Sequence, residues 1–217
     1  MSRPPALPAG LYVITERVPA LDRDHAAVAL AALAGGATVI QLRDKALDGR
    51  ELLETAQELR RLTRETGRLL IINDRIDLAL AVEADGVHLG QSDLPVALAR
   101  RLLGPSALIG CSVRTVEEAR AAEEAGADHL GVGPVFSTAT KLDAGVPIGL
   151  EAIRALRAAT SLPLVAIGGI NAGNVAAVMA AGACSAAVIS AVSQATDMTE
   201  AALRLAEEIA RVGAAGA

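Results

Sequence analysis

Aromatic side chains are nearly missing: the 217-residue sequence has no tryptophan, one tyrosine and one phenylalanine. Hydrophobic residues still make up 52% of it. The core therefore has to be assembled from Ala, Val, Leu and Ile, a composition that favours many small, regularly packed elements. Cysteine is scarce as well. Cys111 and Cys184 each lie in apolar surroundings, which argues against a disulfide framework and for two structural thiols. Nor is positive charge in excess. A formal net charge of -5 repels nucleic acid and anionic membrane surfaces, although it leaves room for a local basic pocket. The first ten residues hold Pro4, Pro5 and Pro8 and no apolar central run, so a secretory signal is not expected and a cytoplasmic protein is. The apolar stretch 176–192 is rich in Ala, Gly and Ser and is interrupted by Gly182. Helix, turn and buried strand explain it better than a membrane span.

What is present is an alternation. Short apolar or β-branched runs at 11–15, 38–43, 69–73, 86–89, 108–112, 129–133, 164–167 and 186–190 read as strands. Longer stretches rich in Ala, Leu, Glu and Arg at 24–34, 50–66, 76–82, 95–103, 116–125, 150–159, 172–181 and 199–211 read as helices. Asp48 with Glu51, and Thr115 with Glu118, have capping-box spacing, and Asn171 is placed to cap the seventh helix. A glycine-bearing turn recurs between helix and strand, at 34–37, 84–86, 125–128 and 181–183, where glycine permits the left-handed conformation that ends a helix. Eight such units without a reversal predict an α/β fold, a single (β/α)8 TIM barrel. Chains of roughly 200 to 250 residues commonly form one such unit, so one domain is expected over 1–217, with short flexible termini.

In a barrel of this type the chemistry lies at the C-terminal ends of the strands, and polar residues gather there. Strand two runs into Gln41-Leu42-Arg43-Asp44-Lys45, strand three into Asn73-Asp74-Arg75, strand four into Gly90-Gln91-Ser92-Asp93 and strand five into Ser112. After strand six comes a long loop, 134–147, holding Thr138, Ala139, Thr140 and Lys141; it is long enough to act as a lid. Any one of these residues is explained equally well by loop solvation or helix capping, and Asp44 and Arg75 by pairing with a neighbour. Five successive strand ends sharing one rim point instead to a polyanion site. Asp74 and Asp93 are the candidate metal ligands, since magnesium takes one or two carboxylates and fills its remaining positions with water and phosphate oxygens. Gly168-Gly169 after strand seven, and Ile189-Ser190 after strand eight, lie where barrels often hold phosphate. His25, His88 and His129 are too scattered for a zinc set, and His88 is expected as a hydrogen-bonded barrel histidine. Gly110-Cys111-Ser112 lacks the rest of a nucleophile elbow, and Gly131-Val132-Gly133 the rest of a dinucleotide fingerprint.

In order and number these strand-end motifs resemble the thiamine phosphate synthase family, over nearly the whole chain from Tyr12-Val13-Ile14-Thr15 to Val188-Ile189-Ser190. The motifs that carry the resemblance are Gln-Leu-Arg-Asp-Lys, Asn-Asp-Arg, His-Leu-Gly-Gln-Ser-Asp-Leu-Pro, Gly-Cys-Ser and Gly-Pro-Val-Phe-Ser-Thr-Ala-Thr-Lys. The family's usual Phe-Pro-Thr reads Phe136-Ser137-Thr138 here, which keeps the threonine but alters the stiffness of its loop.

The resemblance implies a transferase that joins 4-amino-2-methyl-5-(diphosphooxymethyl)pyrimidine to 4-methyl-5-(2-phosphooxyethyl)thiazole, giving thiamine phosphate and diphosphate with Mg2+ as cofactor. It implies pyrimidine diphosphate contacts at Gln41, Leu42, Arg43, Asp44, Lys45, Asn73, Ser112 and Lys141, with Arg43, Lys45, Ser112 and Lys141 catalytic. Thiazole phosphate contacts fall on Thr138, Ala139, Thr140, Gly169, Ile189 and Ser190, and the metal on Asp74 and Asp93. No nucleic-acid or membrane partner is implied, and a homo-oligomer is left open. The competing readings are a related thiazole tautomerase on the same barrel and a phospholigand-binding barrel without turnover. The paired aspartates and the set of diphosphate contacts favour the synthase.

Overall fold

A computed structural model describes residues 6–138, 140 and 145–215. Ala139 and Lys141 lie outside them. Eight parallel strands close into a barrel in sequence order, β1 (Gly10–Thr15), β2 (Val39–Leu42), β3 (Leu69–Asn73), β4 (Gly86–Leu89), β5 (Leu108–Val113), β6 (His129–Val132), β7 (Leu164–Ile167) and β8 (Ser185–Val188). β8 pairs back onto β1, with Leu11 opposite Ala186 and Val13 opposite Val188. The helices are α1 (His25–Ala34), α2 (Gly49–Thr66), α3 (Ile76–Ala81), α4 (Val96–Leu103), α5 (Val116–Glu124), α6 (Gly149–Ala159), α7 (Val175–Ala180), α8 (Ser190–Ser193) and α9 (Met198–Ala215). Among the described residues no helix is long and apolar enough to cross a membrane.

The apolar runs that read as strands are buried on both faces, as a sheet sheathed by helices requires. All four residues of β2, β6 and β8 are buried. Alternate strand residues such as Leu11, Val13, Ile40, Leu70 and Ile72 join the helices in one large cluster between sheet and sheath. Their neighbours Tyr12, Ile14, Val39, Ile71, Leu108, Val165 and Ala187 form a second, smaller cluster inside the barrel. With so few aromatic residues, part of that interior is filled by imidazole. The rings of His88 and His129 lie 5.7 Å apart, and glycines make room for them. A Cβ on Gly110 would come within 2.2 Å of His129 Nε2, and one on Gly131 within 2.6 Å of His88 Cε1.

Local signals act largely as expected. Asp48 accepts from the N–H groups of Arg50 and Glu51, while Glu51 reaches back to Asp48 N–H, completing a capping box on α2. Thr115 accepts from Glu118 N–H, but Glu118 reaches one residue further back, to Arg114 N–H at 2.6 Å. Gly36, Gly126 and Gly182 take positive φ, whereas in the turn before β4 it is Glu83 that does so, at φ 52°. Gly86 serves close packing instead, since a Cβ there would stand 2.0 Å from Leu108 O.

Most boundaries differ from the sequence reading by a residue or two, and the last helix runs to Ala215 instead of 211; two of the differences bear on the site. The seventh helix starts at Val175, not at 172, because the Asn side chains bond locally. Asn171 accepts from Gly173 N–H and Asn174 accepts from Asn171 N–H, both at 2.9 Å, so Asn174 occupies the cap position expected of Asn171. The eighth strand ends at Val188. Ser190 opens the short helix α8 rather than closing a strand.

At the N-terminal end of the barrel two matching devices tie strand to strand. Asp85, just before β4, accepts from Leu70 N–H of β3 at 2.8 Å and from Arg60 at 2.6 Å. Asp128, just before β6, accepts from Ile109 N–H of β5 at 2.8 Å and from Arg100 at 2.5 Å.

Candidate active site

The opposite end of the barrel opens into a cavity of about 380 Å³. Its walls come from the C-terminal ends of the strands and the loops that follow. Gln41, Arg43 and Lys45 line it from β2, Asn73 and Asp74 from β3, and Asp93 from the loop after β4. Ser112, Thr138, Thr140, Gly169, Ile189 and Ser190 also line it. Of the residues expected at the site, Leu42 and Asp44 do not. Leu42 points outward into the core beneath the helices. The Asp44 carboxylate faces away from the cavity and is met by Arg17 at 2.9 Å and His25 at 3.0 Å. Arg75 pairs with exposed Asp77.

Charge is left open at this rim. Among the described residues Arg43 and Lys45 form no ion pair. Asp74 and Asp93 instead face each other. Burial pushes the Asp74 carboxyl up, and its hydrogen bond to Asp93 and that group's charge add to the shift, raising it to about 6 against the pull of Lys45 and Arg43. Asp74 also holds a positive φ of 61°, a conformation that Asp and Asn tolerate better than most residues. Asp93 is steadied by Gly90 N–H at 2.6 Å. Two hard oxygen donors thus stand together beside unpaired cations, the kind of donor set magnesium prefers. Among the described residues no group of three or more His, Cys, Asp or Glu is placed to hold a metal.

The cavity floor is polar. Gln41 donates to the Tyr12 hydroxyl at 2.6 Å, and burial pushes that phenol well above its ordinary range. His88 Nε2 pairs with Ser112 Oγ at 2.9 Å, so the expected barrel histidine is hydrogen-bonded and also faces the cavity. Deeper still, His129 is fully buried, and neither ring nitrogen has a hydrogen-bond partner among the described residues. Burial, helped by nearby His88, lowers it to about 3 and keeps it neutral. Cys111 is buried and its thiol pushed up, first by burial. Cys184 is half-buried, and burial pushes its thiol up too.

The far wall joins three elements. Thr140 Oγ1 lies 3.0 Å from Ser190 Oγ, linking the loop after β6 to the start of α8. Phe136 N–H donates to Gly168 O at 3.0 Å. Gly168 and Gly169 both take positive φ, and a Cβ on Gly169 would stand 2.5 Å from Ser137 O. These glycines therefore serve the close approach of the preceding loop as well as any ligand.

Sequence reasoning missed Tyr12 and Arg114 among the lining residues. Arg114 follows β5 directly, so carrying the strand-end test two residues beyond Ser112 finds it. Tyr12 is signalled by its rarity, because a lone buried phenol needs a partner for its hydroxyl.

A family model described as thiamine monophosphate synthase matches residues 11–192. Thiamine-phosphate synthase of Moorella thermoacetica is 54% identical over 154 residues, covering 71% of this chain and 73% of its own length. That of Chloroflexus aurantiacus is 56% identical over 154 residues, covering 71% of each. Among solved structures, thiamine phosphate pyrophosphorylase from Pyrococcus furiosus is similar with a TM-score of 0.86 and 45% identity, covering 94% of this chain and 96% of the other.

Proposed function

This chain belongs to the thiamine monophosphate synthase family and is a transferase, and we propose that its barrel mouth joins a pyrimidine methyl diphosphate to a thiazole phosphate with Mg2+ as cofactor. The observation that carries the reading is that two facing carboxylates, Asp74 and Asp93, share one cavity with Arg43 and Lys45, two cations that form no ion pair among the described residues.

In this reading Asp74 and Asp93 hold the metal, which supplies positive charge to the diphosphate when bound. Arg43 and Lys45, joined on sequence grounds by Lys141, bind the diphosphate and stabilise the charge it carries away. Gln41, Asn73 and Ser112 hold the pyrimidine, with His88 fixing the Ser112 hydroxyl. Leu42 and Asp44 contribute through their backbone and through the shape of the turn. Thr138, Thr140, Gly169, Ile189 and Ser190, with Ala139 assigned from sequence, seat the thiazole phosphate so that its ring nitrogen faces the pyrimidine methylene. The carbon–nitrogen bond then forms as the carbon–oxygen bond to diphosphate breaks. No side chain acts as a covalent nucleophile. Enclosure orients both partners and limits capture of the pyrimidine methylene by water. The reading includes a cytoplasmic place of work, and also no nucleic-acid or membrane partner, the latter supported by the net charge of -5.

The test is to mix the purified protein with both substrates and Mg2+, then quantify thiamine phosphate and diphosphate with and without a chelator. Equal amounts of the two products, dependent on the metal, are expected. A folded preparation that makes neither sinks the reading.

A further inference from the structure

Residues 15–25, between the end of β1 and the start of α1, contribute nothing to the cavity lining, yet they bond to both sides of its mouth. Toward β2, His25 is almost fully buried. Its Nε2 lies 3.0 Å from Asp44 Oδ2 and its Nδ1 2.8 Å from Thr15 Oγ1. Burial lowers its pKa, outweighing the opposing pull of Asp44. A neutral ring facing an ionised carboxylate carries its proton on Nε2, so His25 donates to Asp44, while the Thr15 hydroxyl that faces Nδ1 also lies 3.3 Å from Gln41 O. Arg17 donates to the same Asp44 oxygen at 2.9 Å. The other Asp44 oxygen accepts from the N–H groups of Ala46 and Leu47 at 2.7 and 2.9 Å. Asp44 thus closes a turn around Lys45, with Arg43 immediately before it.

Toward β8, Arg23 donates to Ser193 O and Ala195 O, both at 2.7 Å, and to Thr196 O at 3.3 Å. Glu16 accepts from the Ser193 hydroxyl at 2.5 Å and from Gln194 at 3.2 Å. These bonds fix the C-terminal end of α8, the helix whose first residue, Ser190, lines the cavity and meets Thr140.

We propose that residues 15–25 form a strap that sets the two halves of the mouth separately. His25 is the positioning residue for Arg43 and Lys45, acting through Asp44, and Arg23 is the positioning residue for Ser190, acting through α8. The inference rests on the allocation of diphosphate to the β2 side and of thiazole phosphate to the β8 side. Neither residue touches a substrate. Each restricts where a binding group stands, and displacement of about 1 Å at such a group is enough to cost up to a hundredfold.

The experiment is a crossed one. The full chain and its His25→Ala and Arg23→Ala variants are assayed with each substrate varied in turn while the other is saturating, and their melting curves are recorded. His25→Ala should raise KM for the pyrimidine diphosphate by about tenfold and leave KM for the thiazole phosphate within about twofold; Arg23→Ala should do the reverse. His25→Gln, which keeps a donor toward Asp44, should recover most of the loss. Arg23→Lys, which cannot reach three carbonyls at once, should recover little. If His25→Ala does not fold, His25→Leu, which fills the space but offers Asp44 no donor, is read in its place; if Arg23→Ala does not fold, Arg23→Lys is, and each must move the same KM in the same direction. Both constants moving together, or neither moving, overturns the strap. A wild-type protein that makes no thiamine phosphate removes the functional reading instead, so the two failures are told apart.

Discussion

The two ends of this barrel use the same residue types to opposite ends. At the N-terminal end, Asp85 and Asp128 each meet an arginine and a strand N–H, so both carboxylates there are answered within the fold. At the C-terminal mouth, Arg43 and Lys45 form no ion pair among the described residues, and Asp74 and Asp93 are turned toward each other. A carboxylate beside an arginine holds structure together. A carboxylate beside a carboxylate gives up stability to keep a place for a ligand. Groups left locally unsatisfied are where functional sites are expected.

The comparison breaks most visibly through Asp74 and Asp93, the proposed metal pair. Asp93→Asn should slow single-turnover product formation by about a hundredfold or more, the scale of losing one well-placed electrostatic group. Its melting temperature should be unchanged or higher, since one of two repelling charges is gone. Unchanged turnover together with unchanged Mg2+ dependence defeats the assignment. Asp128→Ala is the mirror image. It leaves Ile109 N–H without its acceptor and takes the carboxylate from Arg100, which keeps its carbonyl partners, and should cost about 2 kcal/mol in denaturant unfolding, with turnover per folded molecule nearly unaffected. A large loss of turnover in the folded fraction would erase the division between the two ends.

Smaller effects sharpen the contrast. Lys45→Ala should raise KM for the pyrimidine diphosphate by about tenfold, equivalent to about 1.4 kcal/mol, and leave the melting temperature in place. A lowered melting temperature with unchanged KM would make Lys45 a structural residue.

Asp44 is the exception that belongs to the mouth in sequence and to the scaffold in structure. Burial opposes its ionised form, but hydrogen bonds from His25, from Ala46 and Leu47 N–H and from Arg17 outweigh that and hold the carboxyl well below the usual range. A depressed folded-state pKa stabilises the fold above the unfolded value of about 3.9 and loses that contribution as pH falls further. The stability gap between wild type and Asp44→Asn should therefore be steady near neutral pH and narrow below about pH 4. A gap that widens in acid would contradict the hydrogen-bond account.

The barrel and the order of its strands were legible because the strands are largely apolar runs that alternate with longer helical stretches, with glycine-bearing turns recurring between helix and strand. The site was legible as far as position decides it, since a polar residue just past a strand end has few other places to point. Asp44 shows where this fails. It lies between two lining residues, and its neighbours Arg17 and His25 come from the preceding loop, a contact that no local pattern announces. The late start of α7 and the helical turn at Ser190 have the same origin. Side-chain bonds at Asn171 and Asn174, and the grip of Arg23 on the chain after Ser193, override the local periodicity.

Beneath the cavity His129 is sealed by its neighbours, and Val39, Ile71 and Leu108 are buried inside the barrel with it. The barrel is consequently a cup and not a pipe. In the proposed reaction both substrates enter, and diphosphate and product leave, through one doorway, so traffic at the rim constrains the order of events as firmly as the chemistry does.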